Sequence, residues 1–315
     1  VSDPADGSLH WAAQRERGNF MAIKLTAWAV RSFGRRTMTP LLYAIVFYFF
    51  ATGRTARRHI RLYQKHLADW SGRPGLAPRT GSVFAQFMRF GECLLDRLDA
   101  WRGKLGPADV DMHDPSGVRD ALRASGNGVR GQILVCTHLG NLDVCRAMAE
   151  AGERVPLNVL VHTRNAVHFN RVMNEAGDHG MRLIQVSDLD TAVMMDLSQR
   201  LARGEWIAIA GDRIPLHGGR SVTVDFLGRP AAFPQGPWLV ASLLRCQTNL
   251  ICCLKIKGRY RIHLERGPDA SAWDRRERDA RISESVRGYA HWLGQRCLDA
   301  PHQWFNFHHY WNDKD

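Results

Sequence analysis

The sequence predicts an α/β fold, a mixed and mostly parallel sheet flanked by helices, preceded by a basic, apolar helical segment. Two patterns carry the prediction. Short β-rich runs alternate with helical stretches from about residue 130 onward. Ahead of them, the stretch between Glu16 and Asp69 holds ten basic residues, no acidic one and a short apolar run. At 315 residues, with 45% hydrophobic and 23% charged side chains, the chain has the length and mixture of a globular protein with a sizeable core.

The elements follow in order. The polar start "VSDPADGSLH" lacks the apolar stretch of a signal peptide, so none is expected there. Residues 20–68 read as helical, and the ten basic residues between Glu16 and Asp69 are Arg17, Lys24, Arg31, Arg35, Arg36, Arg54, Arg57, Arg58, Arg61 and Lys65. In their midst lies "PLLYAIVFYFFA", residues 40–51. As a helix it covers about 18 Å, short of the roughly 30 Å of a hydrocarbon core. Arginines on both flanks suit an element lying in the bilayer interface, and a core helix is the competing reading. The expected division is therefore residues 1–70 as a membrane-associating segment and residues 71–315 as the α/β domain. "SGRPGLAPRTGS", 71–82, is a Pro/Gly break, and the helical spacing that follows runs through Trp101.

Strands are expected at "QILVCT" (132–137), "PLNVLV" (156–161), "MRLIQV" (181–186), "WIAIAG" (206–211), "VTVDFL" (222–227) and "LICCLKI" (250–256). Helices are expected at 141–152, 165–177, 188–203 and 236–245, with a closing helix at 277–299 and an aromatic tail "HQWFNFHHYW". In open α/β sheets, ligands bind beyond the carboxyl ends of the strands. Three polar stretches fall at such ends: "HLGNLD" after the first strand, "HTRN" after the second and "GDR" after the fourth.

The net charge of +12 comes mostly from arginine, since only six of the 43 basic residues are lysines. Arginine forks suit carboxylate and phosphate partners. No nucleic-acid motif accompanies the charge, so no nucleic-acid partner is expected. The seven cysteines form no CxxC pair and mostly sit in apolar runs, which reads as reduced, buried thiols. His162 and His168 lack a third ligand at zinc spacing, and no metal site is expected. No GxSxG elbow is present.

The stretch with most chemistry is "THLGNLD", residues 137–143. A histidine at a strand end can take a proton from an attacking hydroxyl and return it to a leaving group near neutral pH. A carboxylate beside it would hold the ring in the right tautomer. Asp143, five residues on, is the expected partner of His138, with the amides of Gly140 and Asn141 at a helix start facing a developing oxyanion. A turn with Asn141 or Asp143 as helix cap is the competing reading. The same spacing recurs at His308 and Asp313, in the aromatic tail rather than at a strand end.

"THLGNLD" resembles the HX4D motif of the lysophospholipid acyltransferase superfamily, and the chain is similar to its lipid A late acyltransferase branch. The similarity extends to "HWAAQRERGN", to "GDRIPLHGGRSVTVDFLGRPAAFPQGP" and to "APHQWFNFHHYW", in the expected order. Within the branch it looks closest to members associated with aryl polyene or related pigment-lipid pathways. The resemblance implies transfer of an acyl group from an acyl carrier protein or coenzyme A thioester to a hydroxyl of a lipid or glycolipid acceptor. It implies no cofactor and no metal, with the carrier protein, the lipid acceptor and an anionic membrane surface as partners. The place implied is the cytoplasmic face of a bacterial inner membrane, peripheral or monotopic. His138 becomes the general base, Asp143 its orienter, and Arg164, Asp212 and Arg213 the acceptor-binding residues. "FPQGP", 233–237, departs from the phosphate-handling FPEGT block of glycerol-phosphate enzymes. Two other functions stay open at this point: a thioesterase or other hydrolase using the same pair, and a non-catalytic carrier- or membrane-binding protein.

Overall fold

A computed structural model describes residues 39–101, 104–125, 128–145, 156–161, 181–185, 190–214 and 220–311. Arg164, the "HTRN" stretch and the helix expected at 165–177 lie outside the described residues.

Seven strands form one sheet: β1 (Val110–His113), β2 (Ile133–Gly140), β3 (Leu157–Val161), β4 (Met181–Gln185), β5 (Trp206–Ala210), β8 (Gln247–Ile256) and β9 (Arg259–Asp269). Their order is β1-β9-β8-β2-β5-β3-β4. The strands from β8 through β4 run parallel, β9 turns back antiparallel on β8, and β1 runs parallel to β9. The mostly parallel, mixed sheet expected from the strand–helix alternation is therefore present. Residues 222–227 depart from that expectation. All but Leu227, which lies in the turn, fall in β6 (Ser221–Phe226), which pairs antiparallel with β7 (Arg229–Pro234) in a separate ribbon. β1, β7 and β9 also went unanticipated.

Parallel strands in the middle of a sheet need cover on both faces, and the alternation of side chains supplies it. Ile133, Val135, Ile207, Ile209, Cys252 and Leu254 point into the larger core. Leu134, Cys136, Trp206, Ala208, Ile251 and Cys253 point into the second. The larger core is closed by two helices among others, Gly236–Leu244 and Arg278–Asp299, through Trp238, Val286, Tyr289 and Leu293. The 191–202 helix opens on Asp190, whose carboxylate accepts from the Val193 amide at 2.8 Å.

Numbered from the N-terminus, α1 spans 39–52, α2 Arg54–Ser71 and α3 Thr80–Trp101. Tyr63 and Leu67 of α2 sit in the larger core, so the second half of the basic segment is built into the α/β domain. α1 is two-sided, so the core-helix reading of the 40–51 run describes one of its faces. Leu42, Val46 and Phe50 pack towards α3, whereas Leu41, Tyr43, Phe47, Tyr48 and Phe49 are exposed. No helix among the described residues is long and apolar enough to cross a membrane. A seam of rings joins α1 and α3 to the C-terminal tail: Phe50 meets Phe87 at 5.7 Å, Phe87 stacks on Phe307 at 5.7 Å, and Phe90 touches both Phe305 and Phe307.

Candidate active site

β2 is the middle strand, with β5 on one side and β8 on the other. Its carboxyl end carries Thr137, His138 and Gly140, and the carboxyl end of β5 leads into Gly211, Asp212 and Arg213. Gly211 donates its amide to the Cys136 carbonyl at 2.8 Å, which draws the β5 exit against β2. A Cβ at Gly211 would stand 2.7 Å from Val135 and 2.8 Å from Tyr289, so only glycine permits this approach.

The close pairing puts Asp212 under the His138 ring. Nδ1 of His138 donates to Asp212 Oδ1 at 2.7 Å. Asp212 Oδ2 accepts from the Thr137 hydroxyl at 2.7 Å, the His138 amide at 2.7 Å and the Trp304 indole at 3.3 Å. The carboxylate is 1% exposed, while a third of the His138 side chain stays open to solvent. Burial by itself would raise the Asp212 pKa. The charge of His138 and the donors on both oxygens outweigh burial and hold the carboxyl well below the usual carboxylate range. Asp212 is thus an anion at neutral pH, and His138 keeps its proton on Nδ1, leaving Nε2 as the ring nitrogen able to accept one.

Asp143, the expected partner of the ring, points elsewhere in this geometry. Its carboxylate pairs with Arg97 of α3, and its amide donates to Asn141 Oδ1 at 3.2 Å. Asn141 is therefore the cap of the short helical start at 142–145, as the competing reading had it. The two amides expected to face an oxyanion have partners within the protein. The Gly140 amide donates to the Gln303 carbonyl at 2.9 Å and the Asn141 amide to the Cys253 carbonyl at 2.8 Å. With the His138 amide on Asp212 and the Leu139 amide on Thr137 Oγ1, all four amides of 138–141 are engaged inside the protein. Gly140 itself is fixed by geometry: its φ is +81°, and a Cβ would lie 1.9 Å from the Cys253 carbonyl oxygen.

Asp212 and Arg213, expected as acceptor-binding residues, both lie at the site, and Asp212 is the ring partner besides. Arg213 adjoins Tyr310 as well as Asp212; burial pulls its guanidinium pKa down against the pull of the Asp212 charge. Cys93 lies beside the motif, its Sγ 3.9 Å from the Gly140 carbonyl. Burial pushes that thiol up to about 12, so it is no nucleophile at neutral pH. All seven cysteines are free, and no group of three or more metal-binding side chains occurs among the described residues.

Thr137, Gln303 and Trp304 went unrecognised as parts of the site. The one available signal was the convergence of "HLGNLD" and "GDR" on adjacent strand ends, which places Asp212 beside His138 without naming their bond.

Residues 111–313 match the family model described as bacterial lipid A biosynthesis acyltransferase. The chain belongs to that family. The match takes in β1 through the C-terminal tail, and so both halves of the His138–Asp212 pair. Membership marks the chain as an acyltransferase acting on lipid. No curated protein matches it.

Proposed function

We propose that this lipid A acyltransferase family member is an O-acyltransferase in which His138 is the general base and Asp212 holds its ring. The donor is an acyl carrier protein or coenzyme A thioester, and the acceptor is a hydroxyl of a lipid or glycolipid. The observation that carries this reading is the 2.7 Å contact between His138 Nδ1 and the buried Asp212 carboxylate at the end of the central parallel strand.

His138 Nε2 takes the proton of the acceptor hydroxyl as its oxygen attacks the thioester carbonyl. The tetrahedral intermediate collapses, the C–S bond breaks, and the imidazolium returns the proton to the departing thiolate. Asp212 stabilises the imidazolium without itself being protonated. Arg213, beside the pair, offers a cation to anionic groups of the acceptor; Arg164 is assigned the same role from the resemblance. The exposed face of α1 and the arginines of α2 set the protein on an anionic bilayer at its cytoplasmic face. The same positive surface suits an acidic carrier protein.

The test follows radiolabel from an acyl carrier protein thioester, and in parallel from a coenzyme A thioester, into a membrane lipid extract. Wild-type protein is expected to label a lipid and His138→Ala to label none while retaining its circular dichroism. An equally active His138→Ala protein refutes the reading. Label released as free acid without any acceptor assigns the pair to hydrolysis instead.

A further inference from the structure

The geometry points to the C-terminal tail as part of the catalytic apparatus, with Trp304 as a positioning residue that fixes the Asp212 carboxylate against His138. This rests on the reading of His138 as the base.

The tail is fastened to the site at every residue from 303 to 305. Leu139 and Trp304 form an antiparallel bridge. On either side of it the Gly140 amide donates to the Gln303 carbonyl at 2.9 Å, and the Phe305 amide donates to the His138 carbonyl at 3.1 Å. The tail is thus a short extra strand laid on the last three residues of β2. Its register is set from outside the site. The Gln303 side chain takes the Lys255 amide on Oε1 at 2.9 Å and gives Nε2 to the Lys255 carbonyl at 2.8 Å. Gln86 of α3 donates to the Trp304 carbonyl at 2.8 Å.

This register delivers the Trp304 indole to Asp212. Indole nitrogen is a donor only, and a buried one needs an acceptor. Trp304 is 1% exposed and its N–H goes to Asp212 Oδ2. Oδ2 then holds three donors, from Thr137, the His138 main chain and Trp304, whereas Oδ1 holds the ring Nδ1. Three donors converging on one oxygen stop rotation about the Cβ–Cγ bond. The other oxygen is then presented to the imidazole in one orientation. The ring is set between Tyr63 at 5.0 Å, Phe226 at 5.3 Å and Tyr310 at 5.0 Å, so packing alone also holds it. The experiment must separate the two contributions.

Trp304→Phe keeps an aromatic ring and removes the donor. With one donor fewer, Asp212 is more basic and holds a protonated base more strongly. The acidic limb of the rate–pH profile is expected to move up by as much as about half a pH unit. Loosened orientation is expected to lower kcat about three- to tenfold with KM unchanged. Phe90→Leu serves as the packing control. Its ring on α3 lies 5.3 Å from Phe305 and 5.2 Å from Phe307, and it touches neither His138 nor Asp212; the variant is expected to lower Tm and leave the acidic limb in place. Wild-type kcat and an unmoved limb in Trp304→Phe overturn the proposal, as does an equal shift of the limb in Phe90→Leu. If His138→Ala is active, the reading of the base has failed. If His138→Ala is inactive and Trp304→Phe behaves as wild type, only the role of Trp304 has failed.

Discussion

Asp212→Asn and Asp143→Asn, made separately, decide which carboxylate serves His138. Asparagine has one acceptor oxygen and one amide nitrogen. Three donors aim at Oδ2 of Asp212, from Thr137, the His138 main chain and Trp304, so the asparagine oxygen settles there. Its NH2 then faces the imidazole where Oδ1 stood, 2.7 Å away. The ring can meet an N–H donor only by accepting at Nδ1, which moves its proton to Nε2. A base carrying its proton on the reactive nitrogen cannot take another. By analogy with the same exchange in serine protease triads, kcat is expected to fall about 10³- to 10⁴-fold, equivalent to about 4–5.5 kcal/mol. The loss of a buried charge-assisted hydrogen bond costs about 1–3 kcal/mol of stability, readable as a lower Tm. Asp143 pairs with an Arg97 side chain that is 42% exposed, and such pairs are worth about 0–1 kcal/mol. Asp143→Asn is therefore expected to change kcat less than tenfold. Initial rates of label transfer at saturating donor, with thermal melts on the same samples, give both numbers. A loss in Asp143→Asn that equals or exceeds that in Asp212→Asn refutes the reasoning, because Asp143 would then be the carboxylate the base depends on.

Phe47 and Tyr48 of α1 are 61% and 62% exposed beside an acid-free run of arginines. Full burial of a large apolar side chain is worth about 1.5–3 kcal/mol, so replacing both by serine is expected to weaken sedimentation with anionic vesicles at least about tenfold. Raised salt weakens it too, and binding insensitive to both changes counts against α1 as the docking face. Acid stability has a sign set by the histidines. Burial foremost, with Arg213 and His59 adding, pushes His308 down to about 3 from an ordinary 6.5, and burial with Arg296 pushes His263 down to about 4. Below about pH 6.5 the unfolded chain binds protons that these native histidines refuse, so stability falls as pH drops through that window. For His308 the slope reaches about 1.4 kcal/mol per pH unit. Asp212, held below the ordinary carboxylate range, acts only at lower pH, beneath about 4. Urea midpoints at pH 7 and pH 5 read the effect directly, and equal midpoints contradict it.

β2, β5 and β8 were legible because both faces of each are buried. Runs such as "ILVC" and "WIAIA" are apolar without a break and sit between helical stretches. β9 was hidden for the opposite reason. Its residues alternate exposed and buried only along "RYRI" before the buried run 262–264, which includes His263, and with arginine at 259, 261 and 266 the strand lacks the continuous apolar signal. β7, "RPAAFP", carries two prolines and pairs with β6 in a two-stranded ribbon, with a single bridge from Ala231 to Trp311. α1 defeated a single reading because its two faces obey different environments, one packed against α3 and one exposed.

The site divides the same way. His138 was legible from its own surroundings: a strand end, a glycine turn and a helix start in seven residues. Its carboxylate was not, because local spacing cannot rank a residue five positions away against one 74 positions away. The chain brings Asp212 to His138 through the pairing of β2 with β5, and the Gly211 contact with Cys136 makes that approach close. Asp143 meanwhile begins a helix whose cap, Asn141, is pinned by its side-chain amide to the Cys93 carbonyl, and its charge goes to α3. A motif read along the chain names the residues that leave a strand together. Sheet order decides which of them meet across strands, and here it joins the base to the end of its neighbour and lays Trp304 of the tail over both.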